Sequence, residues 1–108
     1  MSRVIMLLIG GIALAASHAF TGVAVADSGE ILEKECHKQL RLGAAGCSCI
    51  RKRAGDVLND KQQRLVVAMV TRDRATGAKL QSEMTQDEMT GAAKFMEETP
   101  DICAGQSG

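Results

Sequence analysis

From residue 31 onward the apolar side chains recur at intervals of three and four, the spacing of helices that bury one face. Ile31 to Leu42 carries Leu32, Cys36 and Leu40 at four-residue intervals, with Glu30 and Lys34 placed as an i,i+4 ion pair on the outer side. Gly43-Ala44-Ala45-Gly46 interrupts the pattern. A four-residue break bounded by glycines is a usual length for a turn between antiparallel helices, so a helical hairpin is expected. Its second helix is predicted over about Cys47 to Leu58, with Ile50, Ala54, Val57 and Leu58 inward and Arg51, Lys52, Arg53 and Asp56 mostly in solvent.

Asn59-Asp60 then reads as a stop and restart, because either side chain can satisfy the free amides of a new helix beginning near Lys61. Leu65 to Val70 is apolar on every side, which periodicity alone does not distinguish from a buried strand. Helix is the better expectation, since the flanks lack turn chemistry and no second strand-like segment exists to pair its backbone groups. Gly77 is expected to end this helix, with a short helical turn over Ala78 to Met84. Thr85-Gln86-Asp87-Glu88 is a capping box, so a further helix follows, with Met89, Ala92, Ala93 and Met96 as its stripe, Phe95 beside it, and Pro100 as its expected end. The expected fold is therefore all-α: a small bundle of about four short helices, a hairpin plus two more, stapled by disulfides.

Residues 1 to 26 have a different character. Arg3 supplies a charge, Val4 to Ala16 is a 13-residue apolar stretch, and Ala24-Val25-Ala26 is a small-x-small cleavage site, which together read as a secretory signal. Ser17-His18-Ala19 offers a second acceptable site. A spanning anchor is disfavoured because it needs about 20 apolar residues, and an acylated anchor because the first cysteine is Cys36. The expectation is one helical domain over 27–108, periplasmic or secreted in a bacterial envelope, with no stable membrane insertion after cleavage.

Removal of the signal leaves 82 residues with a single aromatic, Phe95. A core of that size is marginal alone and calls for covalent help. Cys36, Cys47, Cys49 and Cys103, an even number in an exported protein, read as two disulfides. Strain argues against a Cys47–Cys49 bridge, because helix geometry separates those side chains by about 200°. Of the two remaining pairings, axial levels in a hairpin centred on 43–46 favour Cys36–Cys49 with Cys47–Cys103.

Net charge is near balance, which removes any global basic field for nucleic acid. The distribution is uneven, with 11 basic and 7 acidic groups over 27–79 against 1 and 6 over 80–108. The simpler expectation is that the acidic part packs back on the basic part; the sharper one is a partner surface.

Candidate chemistry is thin. Cys47-Ser48-Cys49 near Arg51, Lys52 and Arg53 has the makings of a redox dithiol, and with His37 and Met84, Met89 or Met96 of a Cu(I) clamp, although Met89 and Met96 also fit as core stripe. Gly77 and Glu83 match two positions of a calcium loop whose other ligands would be Arg72, Arg74 and Thr76, so calcium is rejected. Cys36-His37 ends like a haem-attachment motif but Glu33 stands where its first cysteine belongs. Ser48 and Thr71 have no nucleophile motif around them, and Arg51-Lys52-Arg53 spans too wide an arc for one cationic face. No catalytic, cofactor or metal residues are assigned. The expected role is non-enzymatic binding of another envelope component, of inhibitor, immunity, chaperone or assembly type, with thiol redox or Cu(I) handling by Cys47 and Cys49 as the alternative. The exported protein should begin at Asp27, which N-terminal sequencing and intact mass will read directly; retention of Met1 in a membrane fraction would contradict it.

Overall fold

The computed structural model describes residues 27 to 106, and the signal reading lies outside them. Every regular element among these residues is helical: α1 (Ser28–Gln39), α2 (Gly43–Val57), α3 (Asp60–Val70), α4 (Arg74–Ser82) and α5 (Gln86–Ala104). The count is five rather than about four because residues 71–73 form a turn that ends α3 well before Gly77. Asp73 then caps α4, accepting from Thr76 N–H, and Gly77 lies buried inside that helix. Arg72 sits at φ 62 in this turn, a left-handed conformation more costly for arginine than for glycine.

α1 packs on α2 and α3, and α5 packs on the same two helices, while α4 is a hairpin arm on α3. α1 and α5 therefore face one another across the bundle diagonal without packing closely. The core is Leu32, Cys36, Cys47, Ile50, Ala54, Leu58, Leu65, Val66, Leu80, Met84, Ala92, Phe95 and Cys103, drawn from all five helices and their junctions.

Two further boundaries differ from the sequence expectation. Within the break at 43–46 only Gly43, at φ 72, adopts the left-handed turn conformation, so α2 begins there and Ala44 to Gly46 form its first turn instead of a loop. α5 also runs through Pro100 to Ala104. Proline removes one backbone bond to the carbonyl four residues earlier, and a helix tolerates that loss where burial on either side holds it: Thr99 and Cys103 are essentially inaccessible.

The disulfides correct the favoured pairing. The structure joins Cys36 to Cys47 and Cys49 to Cys103, with Cα–Cα distances of 5.5 Å in both. The reason is the early start of α2. Cys36 lies one turn before the end of α1 and Cys47 one turn inside α2, so these two share an axial level, whereas Cys49 is rotated toward α5. In the chain-entropy picture, sequence separations of 11 and 54 correspond to roughly 3 and 4 kcal/mol.

At the other end of α5 the lock is noncovalent. Asn59 and Gln62 cap α3 reciprocally, and Thr85 and Glu88 do the same for α5. The two boxes are cross-linked: Asn59 Nδ2 donates to Glu88 Oε2 at 2.8 Å and Gln62 Nε2 to the Glu88 carbonyl at 2.9 Å. Gly91 makes room for this, since a Cβ there would lie 2.6 Å from Gln62 Nε2. Gly91→Ala should therefore destabilise the protein by about 1 kcal/mol, because displacing Gln62 costs more than the helix propensity gained. In a Gln62→Ala background the same change should become stabilising. Urea denaturation of the four proteins of this cycle checks both signs.

Candidate functional site

α1 and α5 both pack on α2 and α3 but not closely on one another, and the space left between them is an open, largely apolar cavity of about 200 Å³. Leu32, Cys36, Ile50, Val66 and Phe95 line it alongside Thr99, while Glu35, Gln39, Leu40, Val70, Met96 and Pro100 complete the wall from the three helices that surround it with α2. Each helix contributes because its buried stripe points inward: Leu32 and Cys36 from α1, Ile50 from α2, Val66 from α3 and Phe95 from α5.

The polar groups here are tied down. Gln39 Nε2 donates to Glu35 Oε2 at 2.8 Å and to the Val70 carbonyl at 2.9 Å, strapping the end of α1 to the end of α3. Thr99 Oγ1 accepts from Arg53 Nε at 3.3 Å, which joins α5 to α2. Pro100 has no N–H to give the Met96 carbonyl, and both residues are part of the cavity wall.

The sequence-proposed thiol and copper residues are dispersed among different environments. Cys47 and Cys49 leave α2 toward different helices and are each bonded to a separate partner. His37 is exposed on α1, Met84 is buried in the core, and Met89 and Met96 are partly buried against it. Among the described residues no group of three His, Cys, Asp or Glu side chains is placed to hold a metal ion. Ser48 is exposed, and the Thr71 hydroxyl donates to the Val67 carbonyl at 2.7 Å in the turn after α3.

The basic triplet fans out in three directions. Arg51 faces Glu33 at 3.1 Å, Asp27 at 3.5 Å and Glu30 at 3.9 Å, fastening the start of α1 to α2. This differs from the expected Glu30–Lys34 pair and ties down an Arg51 expected mostly in solvent. Lys52 pairs with Asp56, and Arg53 turns to Thr99. The acidic α5 does pack back on α2 and α3, as the charge distribution suggested, but without ion pairs: among the described residues the salt bridges lie within 27–79, and Glu88 feels Lys61 only through its charge. Glu97, Glu98 and Asp101 are exposed. Among the described residues no helix is long and apolar enough to cross a membrane.

Comparison with protein-family models, curated proteins and solved structures finds no match. The cavity itself was not legible as a motif, because its lining comes from four separated segments; the signal nearest to it was the Met96 and Pro100 pair in the last helix.

Three carboxylates are held below their ordinary values: Glu35 by the Gln39 amide and then Lys38, Glu88 by the Thr85 backbone N–H and then the Asn59 amide, and Asp73 by the Thr76 hydroxyl and N–H. A depressed folded-state value stabilises the fold above the unfolded value and loses that stabilisation as pH falls through the folded value. Stability should therefore drop on acidification below about pH 4, the region of unperturbed Asp and Glu. Glu88→Gln should flatten that acid-side decline, as read by urea midpoints at pH 6 and pH 3.

Proposed function

We propose that this chain is an exported, non-catalytic binding protein that accepts an apolar group of another envelope component in the cavity between α1, α2, α3 and α5. The observation that carries it is the cavity. Packed interiors leave few voids larger than a water molecule, yet a chain with one aromatic residue outside its N-terminal segment leaves about 200 Å³ lined by core residues and open to solvent. Filling that space with larger side chains would add packing energy. Leaving it open favours a visitor. Ligand sites in helix bundles are built in this way, from facing side chains of neighbouring helices.

The disulfides support a scaffold role for the cysteines. Cys47 is fully buried, and its neighbour in the CxC motif is committed to a different helix. A thiol or copper function at Cys47 and Cys49 would require both bridges to open, which would detach α1 and α5 from α2. Consumption of both motif cysteines in separate bridges weighs against that alternative.

The test compares the wild-type protein with Met96→Trp, which fills the cavity from its rim. Both are immobilised through a C-terminal tag and exposed to envelope extract, with circular dichroism and thiol alkylation confirming that the variant keeps its helices and both bridges. A component retained by the wild type and lost by the variant is the expected result. Equal retention by the two proteins, or none by either, would remove the cavity as the binding site. A readily reducible Cys47–Cys49 bridge in the isolated protein would favour thiol chemistry instead.

A further inference from the structure

Of the polar side chains around the cavity only Thr99, whose hydroxyl oxygen accepts from Arg53, has a hydrogen left to donate; the others accept hydrogen bonds. Glu35 is a carboxylate whose side chain is only 18% exposed, and it lines the cavity. Gln39 has committed both amide hydrogens, one to Glu35 and one to the Val70 carbonyl, so only its Oε1 remains, and that is an acceptor. The Met96 carbonyl lost its helical donor to Pro100 and is likewise an acceptor. Two helices, α1 and α5, thus bring acceptors to one apolar chamber.

Volume narrows the visitor further. A dry apolar cavity of about 150 Å³ takes a benzene ring, whereas sites for drug-sized ligands start at roughly 300 Å³. The chamber here, at about 200 Å³, lies between these, so it suits one ring or a short alkyl chain with a small head group. The head must stay at the rim, because a charge carried inward would meet Leu32, Ile50 and Phe95 without compensation.

We infer that the cavity selects a small apolar group, of one ring or a short alkyl chain, that carries a hydrogen-bond donor such as an amine or alcohol, and that it rejects the matching carboxylate, an inference that rests on the cavity being the binding site proposed above. An ammonium group has three hydrogens and a hydroxyl one to donate to Glu35, Gln39 Oε1 or the Met96 carbonyl; a carboxylate meets these acceptors and the like charge of Glu35, with the Thr99 hydroxyl as its one side-chain donor. Three cations lie near, of which Lys34 is exposed on α1 and acts on Glu35 only through its charge. Arg53 approaches Thr99 from the seam of α2 and α5 and does not line the cavity. Lys38 sits outward of Glu35 with its side chain 63% exposed, where solvent screens it. The exposed acids Glu97 and Asp101 on α5 add to the negative potential on the Met96 side.

Benzylamine, benzyl alcohol and benzoate share a skeleton and differ in the head group. Each is titrated at neutral pH into the full oxidised protein and into Glu35→Gln and Met96→Trp, with backbone amide chemical shifts as the readout. The amine and the alcohol should shift residues of α1, α3 and α5 around the cavity, with benzoate roughly tenfold weaker, within the range expected of one like charge near a protein surface. Glu35→Gln should narrow the gap between benzoate and benzylamine, and Met96→Trp should abolish all the shifts. Benzoate binding as tightly as benzylamine, or a gap unchanged in Glu35→Gln, would overturn the selectivity while leaving the cavity a binding site. Absence of binding by all three compounds would overturn the cavity site itself.

Discussion

The constraint on which this bundle depends is the spacing of two cysteines on one helix. Residues two apart on a helix point about 200° away from each other, so Cys47 and Cys49 cannot serve the same neighbour. Cys47 holds α1 and Cys49 holds the last turn of α5. α2 therefore acts as a post with a helix fixed to either side. The two fixed helices do not pack closely on one another, α3 touches both, and the gap between α1 and α5 becomes the cavity. A short motif that resembles redox chemistry in the sequence is, in three dimensions, a device for spreading helices apart.

Around that post the polar interactions fasten ends rather than fill the interior. Arg51 ties the start of α1 to α2, Gln39 ties its end to α3, and the linked capping boxes tie the start of α5 to the start of α3. Surface pairs of this kind contribute little each, but they set where helices begin and end. Among the described residues no buried side-chain nitrogen or oxygen lacks a hydrogen-bond partner. The interior that remains is largely apolar and underfilled.

The local signals in the chain were the legible part. Thr85 with Glu88, and Asn59 ahead of Asp60, announce helix starts because capping chemistry is confined to four residues. Gly43, Gly77 and Pro100 were harder, since the same residue type ends a helix when exposed and is tolerated inside one when packing or a crosslink holds the next turn. Gly43 did mark a turn, yet the three residues after it are helical; Gly77 and Pro100 lie within helices. The disulfide pairing depended on where α2 begins, so a shift of four residues at that boundary was enough to exchange Cys47 for Cys49. The cavity and the strap made by Gln39 arise from segments far apart in sequence and carry no local signature.

The unequal reach of the two bridges has a consequence for the order in which the molecule can be assembled. Three of the four cysteines lie within 14 residues of one another, from Cys36 to Cys49, and the fourth is at position 103. In a chain that emerges N-terminus first, Cys36 meets both Cys47 and Cys49 long before Cys103 exists as a partner. Oxidation at that stage is a choice between a native and a non-native ring of almost equal size, and loop entropy does not separate them. What does separate them is the helix: once α2 is wound from Gly43, Cys47 faces α1 and Cys49 faces away. Secondary structure must then precede oxidation for the first bridge to form correctly, and a chain oxidised too early holds Cys47 in reserve until thiol exchange releases the wrong pair.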